Sequence, residues 1–174
     1  MHYQRKTKGK TDYRLRLNLL KSGKPRLVVR RFNKALTIQV ITYEADGDRI
    51  LLGVHSCVLS KQFAWKYSGK NLPAAYLLGL YAGKKALAAG VTDAILDHGL
   101  FRVRIGTKFF AVLKGILDAG VKVPHNPIML PSKERLLGKH ILTYYQAHKE
   151  KFKKIDITSL EKDLETVKQK ILKS

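Results

Sequence analysis

The strongest constraint on what this chain can fold into is a change of hydrophobic period at residue 26. Before it, Tyr13, Leu17 and Leu20 recur at helical spacing, whereas RLVVRRF, LTIQVIT and RILLGVHSCV, in order from Arg26, alternate with a period of two. Asn33-Lys34 and Asp46-Gly47 supply turns between these runs, so they predict a three-strand antiparallel meander ending at Val58. In its first strand Leu27 and Val29 face a core while Arg26, Val28 and Arg30 share the other side. Two cations on one strand face, in so basic a chain, imply that this side meets something anionic.

After the meander the spacing returns to helices. Pro73 to Ala89 predicts a helix with proline in its first turn and Gly90 closing it. Ala74, Ala75, Gly79, Ala82, Gly83 and Ala86 make it rich in small residues, which suits close packing on a sheet. The apolar run it contains, Leu72 to Gly83, has 12 residues, short of the roughly 20 that cross a bilayer. Ala94 to Asp97 reads as a short buried strand, and strand, helix, strand in that order implies a parallel crossover. Phe101 to Ile105 alternates apolar residues with Arg102 and Arg104. Gly106-Thr107-Lys108 then opens a helix closed by Gly120, a start that suits either an ordinary cap or a phosphate. Val123 to Pro131, with three prolines, predicts a surface loop, followed by helices over Glu134–Lys149 and Ser159–Leu172. The last has a capping-box pattern in Thr158 and Glu161, and a stripe of Leu160, Leu164, Val167 and Ile171 that docks back on the domain or meets a partner. The expected fold is α/β: a mixed sheet with an antiparallel meander, a βαβ crossover and flanking helices. A basic arm occupies residues 1–24, a core 25–122 and a helical extension 123–174.

Charge narrows the function. The 174 residues carry 34 Lys and Arg against 13 Asp and Glu, a formal charge of +21, yet 45% are apolar, so the chain has a core and a polyanion for a neighbour. Nucleic acid is the first candidate; an anionic membrane would want a basic amphipathic helix with bulky aromatics, and no membrane partner is expected. Residues 1–34 hold 12 of the cations against one acid, Asp12. The tail to Lys10 should be disordered when alone, Thr11 should cap a short helix with Asp12 in its first turn, and Ser22-Gly23-Lys24-Pro25 should end it. On charge alone Arg5, Lys6, Lys8, Lys10, Lys21, Arg102, Arg104 and Lys108 are candidate RNA contacts, with Asn33 in the turn after the first strand. Tyr3, Tyr13 and Phe32, interleaved with cations, offer stacking faces worth about 1–3 kcal/mol each to exposed bases.

Enzymatic readings find less support. Asp46 and Asp48 belong to a turn, Asp93 and Asp97 bracket a short strand and Asp118 ends a helix, so turn chemistry, capping and solvation account for them without a metal-dependent nuclease site. His55 and Cys57, two apart on one predicted strand face, lack the further ligands of a zinc site. No catalytic residue, metal or cofactor is expected. The single cysteine excludes an internal disulfide and suits a reducing compartment, and MHYQRKTKGK has no apolar stretch for a signal peptide, so a cytoplasmic location is expected.

KTDYRLRLNLLKSGKPRLVVRRFNK, NLPAAYLLGLYAGKKAL, AILDHGL, GTKFFAVLKGILDAGV and the VPHNP turn, in this order from about Thr7 to His140, resemble the archaeal form of the L-eighteen family, the large-subunit ribosomal protein that binds 5S rRNA. The resemblance implies a ribonuclease H-like mixed sheet and a structural role in the central protuberance, holding 5S rRNA against the large-subunit rRNA beside the neighbouring 5S-binding ribosomal protein. No self-association is expected. Carried over by position, it puts Lys10, Tyr13, Arg14 and Arg16 of the arm near RNA, then Lys24, Arg26, Arg30, Arg31 and Lys34 of the first strand, and the Lys70-Asn71 turn. Leu72 stands where the family has threonine and Phe32 where serine is commoner; the first should weaken the cap of the helix that follows. A general basic nucleic-acid-binding protein is the remaining non-enzymatic alternative.

Overall fold

The computed structural model describes residues 3–149 and 156–173. Four strands form one mixed sheet: β1 (Arg26–Arg31), β2 (Leu36–Glu44), β3 (Gly47–His55) and β4 (Ile95–Asp97), in the order β3-β2-β1-β4. β1–β2 and β2–β3 are antiparallel, so the meander is present, and β4 pairs parallel with β1 as the crossover required. The alternation in β1 holds on the core side, with Leu27 2% and Val29 0% exposed. β3 stops three residues before the predicted end: Ser56 turns the chain into a helix, α3 (Cys57–Phe63), closed by Ala64 at φ 56°. Cys57 therefore leaves the strand face it was expected to share with His55, and its amide donates to His55 Nδ1 at 3.2 Å.

Helix α4 (Leu72–Ala88) begins with Asn71 as its cap, the side-chain oxygen accepting from the Ala74 amide at 2.8 Å. Leu72 in the threonine position costs this cap nothing, because the preceding residue supplies the acceptor. Helix α5 is Lys108–Ala119, ending at Gly120 with φ 108°. The small residues of α4 face α5 rather than the sheet: a Cβ on Gly79 would run into the Val112 backbone, one on Gly83 into Ala119 and Ile116, and one on Gly115 of α5 into the α4 backbone at Tyr76 and Leu80. Contacts that step from Gly79–Val112 to Gly83–Ile116 mean that the two helices run in the same direction. Side chains at these positions would force the backbones apart, so glycine sets the helix separation.

The remaining helices close the core. Gly138, at φ 84°, breaks the predicted helix after the proline loop into α6 (Lys133–Leu137) and α7 (Lys139–Ala147). In the last helix, α8 (Leu160–Lys173), Leu160, Leu164, Val167 and Ile171 are all buried in the common core, so its stripe docks on the domain. Its capping box does not form: the Thr158 hydroxyl donates to Asp156 at 2.8 Å instead of serving the helix. Residues 101–105 form a loop with Val103 49% and Ile105 65% exposed, because the sheet ends at β4 and offers that alternation no partner strand.

Candidate nucleic-acid interface

The arm lies across the face of β1 that carries Arg26, Val28 and Arg30. A first turn, α1 (Gln4–Thr7), sits within the stretch expected to be disordered; Tyr3 stacks on Tyr13 with centroids 4.8 Å apart and Arg5 Nε donates to Thr11 Oγ1 at 3.0 Å. The arm helix proper is α2 (Tyr13–Leu20), capped by Asp12 rather than Thr11, the carboxylate accepting from the amides of Arg14 and Leu15 at 2.9 and 3.1 Å. An ionised side chain is the stronger acceptor at a helix start, which is why Asp12 takes the cap. The face turned to the sheet is Leu15, Arg16 and Leu19, one residue step round from the predicted stripe, and Leu17 is 55% exposed. No residue of α2 is buried, and a cleft of about 860 Å³ lies between the arm and the sheet.

The anionic neighbour expected for this strand face is inside the protein. Arg26, 4% exposed, donates Nη2 to Asp48 Oδ2 at 2.7 Å and Nη1 to Asp97 Oδ2 at 3.0 Å. Arg16 reaches down from α2 and holds both Asp48 oxygens at 2.8 Å. Arg30 donates to the Asp97 carbonyl at 3.1 Å and lies 3.4 Å from its Oδ1, which also accepts from the Gly99 amide at 2.8 Å. The result is an alternating ladder, Arg16–Asp48–Arg26–Asp97–Arg30, that runs from the arm into the sheet. Asp48 and Asp97 are thus more than turn and strand-end residues. Turn chemistry and strand-end solvation, the roles expected for them, leave out this pairing; the sequence signal for it is Arg26 itself, since a cation on a strand between two others needs carboxylates to be buried.

This ladder sorts the candidate residues. Arg16, Arg26 and Arg30 are committed to carboxylates, and Arg26 has almost no surface left for RNA. Lys24 is exposed, with Asp93 at 3.7 Å. Arg5, Lys6, Lys8, Lys10, Arg14 and Lys21 project from the arm into solvent, and Tyr13 is half-buried under Tyr3. At the end of β1 and just past it, Arg31, Phe32, Asn33 and Lys34 are exposed; Lys70 donates Nζ to the Asn33 carbonyl at 2.6 Å, and Asn71 is occupied as the α4 cap. Arg102 and Arg104 are exposed in the loop before α5, and Lys108 is half-buried at its first residue. Two cationic surfaces result, the arm and the exit of β1, with the ladder between them.

The ladder also gives the arm a pH dependence. The Arg16 guanidinium holds the Asp48 carboxyl below its ordinary value, Arg26 adding to this against partial burial, and Arg16 is raised in turn. A depressed carboxyl contributes stability that is complete above its unfolded value of about 3.9 and is lost as pH falls through the lower folded value. Protection of the α2 amides, measured relative to an unstructured chain at the same pH, is therefore expected to be steady from neutral pH down to about 4 and to fall below that, ahead of global unfolding; an Asp48→Asn variant should show the lower protection already at neutral pH.

Among the described residues no group of three His, Cys, Asp or Glu is placed to hold a metal ion, and the two carboxylates that converge have a guanidinium between them. No helix among those residues is long and apolar enough to cross a membrane. The family model for ribosomal large subunit proteins 60S L5, and 50S L18 matches residues 1–94 and 88–126. The large ribosomal subunit protein uL18 of Korarchaeum cryptofilum (strain OPF8) is 49% identical over 142 residues, 82% of this chain and 72% of that protein. The protein of the same name from Aeropyrum pernix is 46% identical over 147 residues, 84% of this chain and 69% of its own. The chain belongs to this ribosomal protein family. Membership sets it among constituents of the large ribosomal subunit rather than among enzymes. The family match takes in the arm, the whole sheet and both helices α4 and α5, and so every element that carries the two cationic surfaces.

Proposed function

We propose that this protein binds 5S rRNA and attaches it to the large-subunit rRNA in the central protuberance, beside the neighbouring 5S-binding ribosomal protein. The observation that carries the reading is the division of labour among its cations. Six of them are exposed on an arm with no buried side chain among its described residues, while the arginines beneath are paired with the protein's own carboxylates. An arm built this way can adjust to a folded RNA and still start from a fixed point on the sheet. A-form RNA exposes phosphates and 2′-hydroxyls rather than its major-groove base edges, so pre-placed cations and a few stacking faces are what recognition of its shape requires.

The test is competition binding of the full chain to labelled 5S rRNA in physiological salt. A preference for 5S rRNA of at least about a hundredfold over bulk tRNA and duplex DNA of equal length is expected, the margin by which specific contacts exceed a purely electrostatic grip. Equal competition by all three would make the chain a general polyanion binder and overturn the reading.

A further inference from the structure

Three cations from distant parts of the sequence meet where β1 ends. Arg31 is the last residue of the strand, and its guanidinium lies 5.2 Å from the centre of the Phe101 ring. Phe101 packs in turn on Phe109, centroids 5.2 Å apart, which fixes the start of α5 and with it Lys108. Lys70, two residues before α4, is drawn to the same turn by its 2.6 Å bond to the Asn33 carbonyl. The first turns of the two parallel helices α4 and α5 thus open toward the exit of β1.

What distinguishes these cations from those of the ladder is the lack of a carboxylate partner. Arg16, Lys24, Arg26 and Arg30 each have a carboxylate within 4.0 Å, but among the described residues Arg31, Lys70 and Lys108 have none. Burial first, and then the positive charges of Lys70 and Arg31 close by, hold the Lys108 ammonium below the ordinary lysine value. The Thr107 hydroxyl oxygen, buried at the start of α5, has no hydrogen-bond partner there either. Both Arg31 and Lys70 are braced, one by an aromatic face and the other by a carbonyl, so their heads are held in place before any ligand arrives. An acidic side chain offers two oxygens in one plane; a phosphodiester accepts from several directions at once, which suits donors arriving from a strand end and two helix starts.

We propose that Arg31, Lys70 and Lys108 together seat a single phosphate of the RNA backbone, at a point separate from the arm and its cleft. This rests on the RNA-binding reading above. Phe32, 58% exposed beside Arg31, gives the adjoining base a face to stack on.

The test compares the full chain with Arg31→Gln, Lys70→Gln and Lys108→Gln, singly and combined, in 5S rRNA binding across a salt series, with thermal melting alongside. One shared phosphate predicts that the triple variant binds roughly tenfold more weakly, that its salt slope falls by about one and not by three, and that each single change already causes most of the loss. Amide shifts at Asn71 and Phe109 on adding inorganic phosphate should vanish in the triple variant, with the melting temperature unchanged. Additive losses with a slope change near three would mean three separate contacts, and unchanged binding would mean no contact; either overturns the seat. Weak, unselective RNA binding by the unaltered chain, with the phosphate shifts intact, would instead overturn the 5S reading and leave an anion site without its proposed occupant.

Discussion

Replacing Arg26 with alanine is expected to lower the melting temperature by roughly 6–12 °C. Arg26 is 4% exposed and bridges two carboxylates, so its removal leaves Asp97, 6% exposed, facing Asp48 with only Arg16 and Arg30 at the edges to compensate. Breaking a buried pair in this way costs about 3 kcal/mol or more, and a chain of this length shifts by roughly 2–4 °C for each kcal/mol. Arg26→Lys should recover little, because an ammonium cannot span both carboxylates as the planar fork does. A combined Arg26→Met, Asp48→Asn, Asp97→Asn variant should melt close to the unaltered protein, since it removes the stranded charge along with its partner. If the alanine variant lost only a degree or two, the ladder would be a surface feature and Arg26 free to serve RNA directly.

Arg26 also shows where the sequence was legible and where it was not. Period and turn residues located β1, β2, α4, α5 and α8 within a few residues: the strands, α5 and α8 each have a clear buried face, and the boundaries are marked by residues such as Gly47, Gly120 and, for the nearly all-buried α4, Pro73 and Gly90. The elements misjudged are those fixed by what lies across the fold. Residues 101–105 alternate like a strand but find no neighbour to pair with, and Val58 continues an apolar run that the chain in fact bends into α3. The glycines of α4 announced a close approach, but the surface expected was the sheet; the meeting of Gly79 with Val112 and of Gly115 with Tyr76 shows it to be α5.

The candidate site was legible in its charge and not in its pairing. Asp48 and Asp97 are 49 positions apart in sequence and belong to strands at opposite edges of the sheet, with Arg26 midway between them in space. Nothing local marks that convergence. Exposed lysines need no such knowledge, which is why the arm could be read directly while Arg26 and Arg30, on the same count of charges, belong to the scaffold.

Removing residues 1–24 separates these two roles. The segment carries eight cations and one acid and, among its described residues, no buried side chain, so the sheet and its helices should remain folded, with a melting temperature within about 5 °C of the full chain after loss of the Arg16–Asp48 and Lys24–Asp93 pairs. Affinity for 5S rRNA should fall by at least about a hundredfold in physiological salt. The salt dependence should flatten by roughly one unit for each phosphate the arm no longer meets. The Asp48→Asn variant is the companion measurement, for it keeps every arm cation and removes only the carboxylate that anchors them. It should bind 5S rRNA several-fold more weakly with the slope nearly intact, because the same contacts form from a less ordered start. Should the truncated chain keep the full salt slope, the grip would lie elsewhere, and the exit of β1 would be the surface to which it passes.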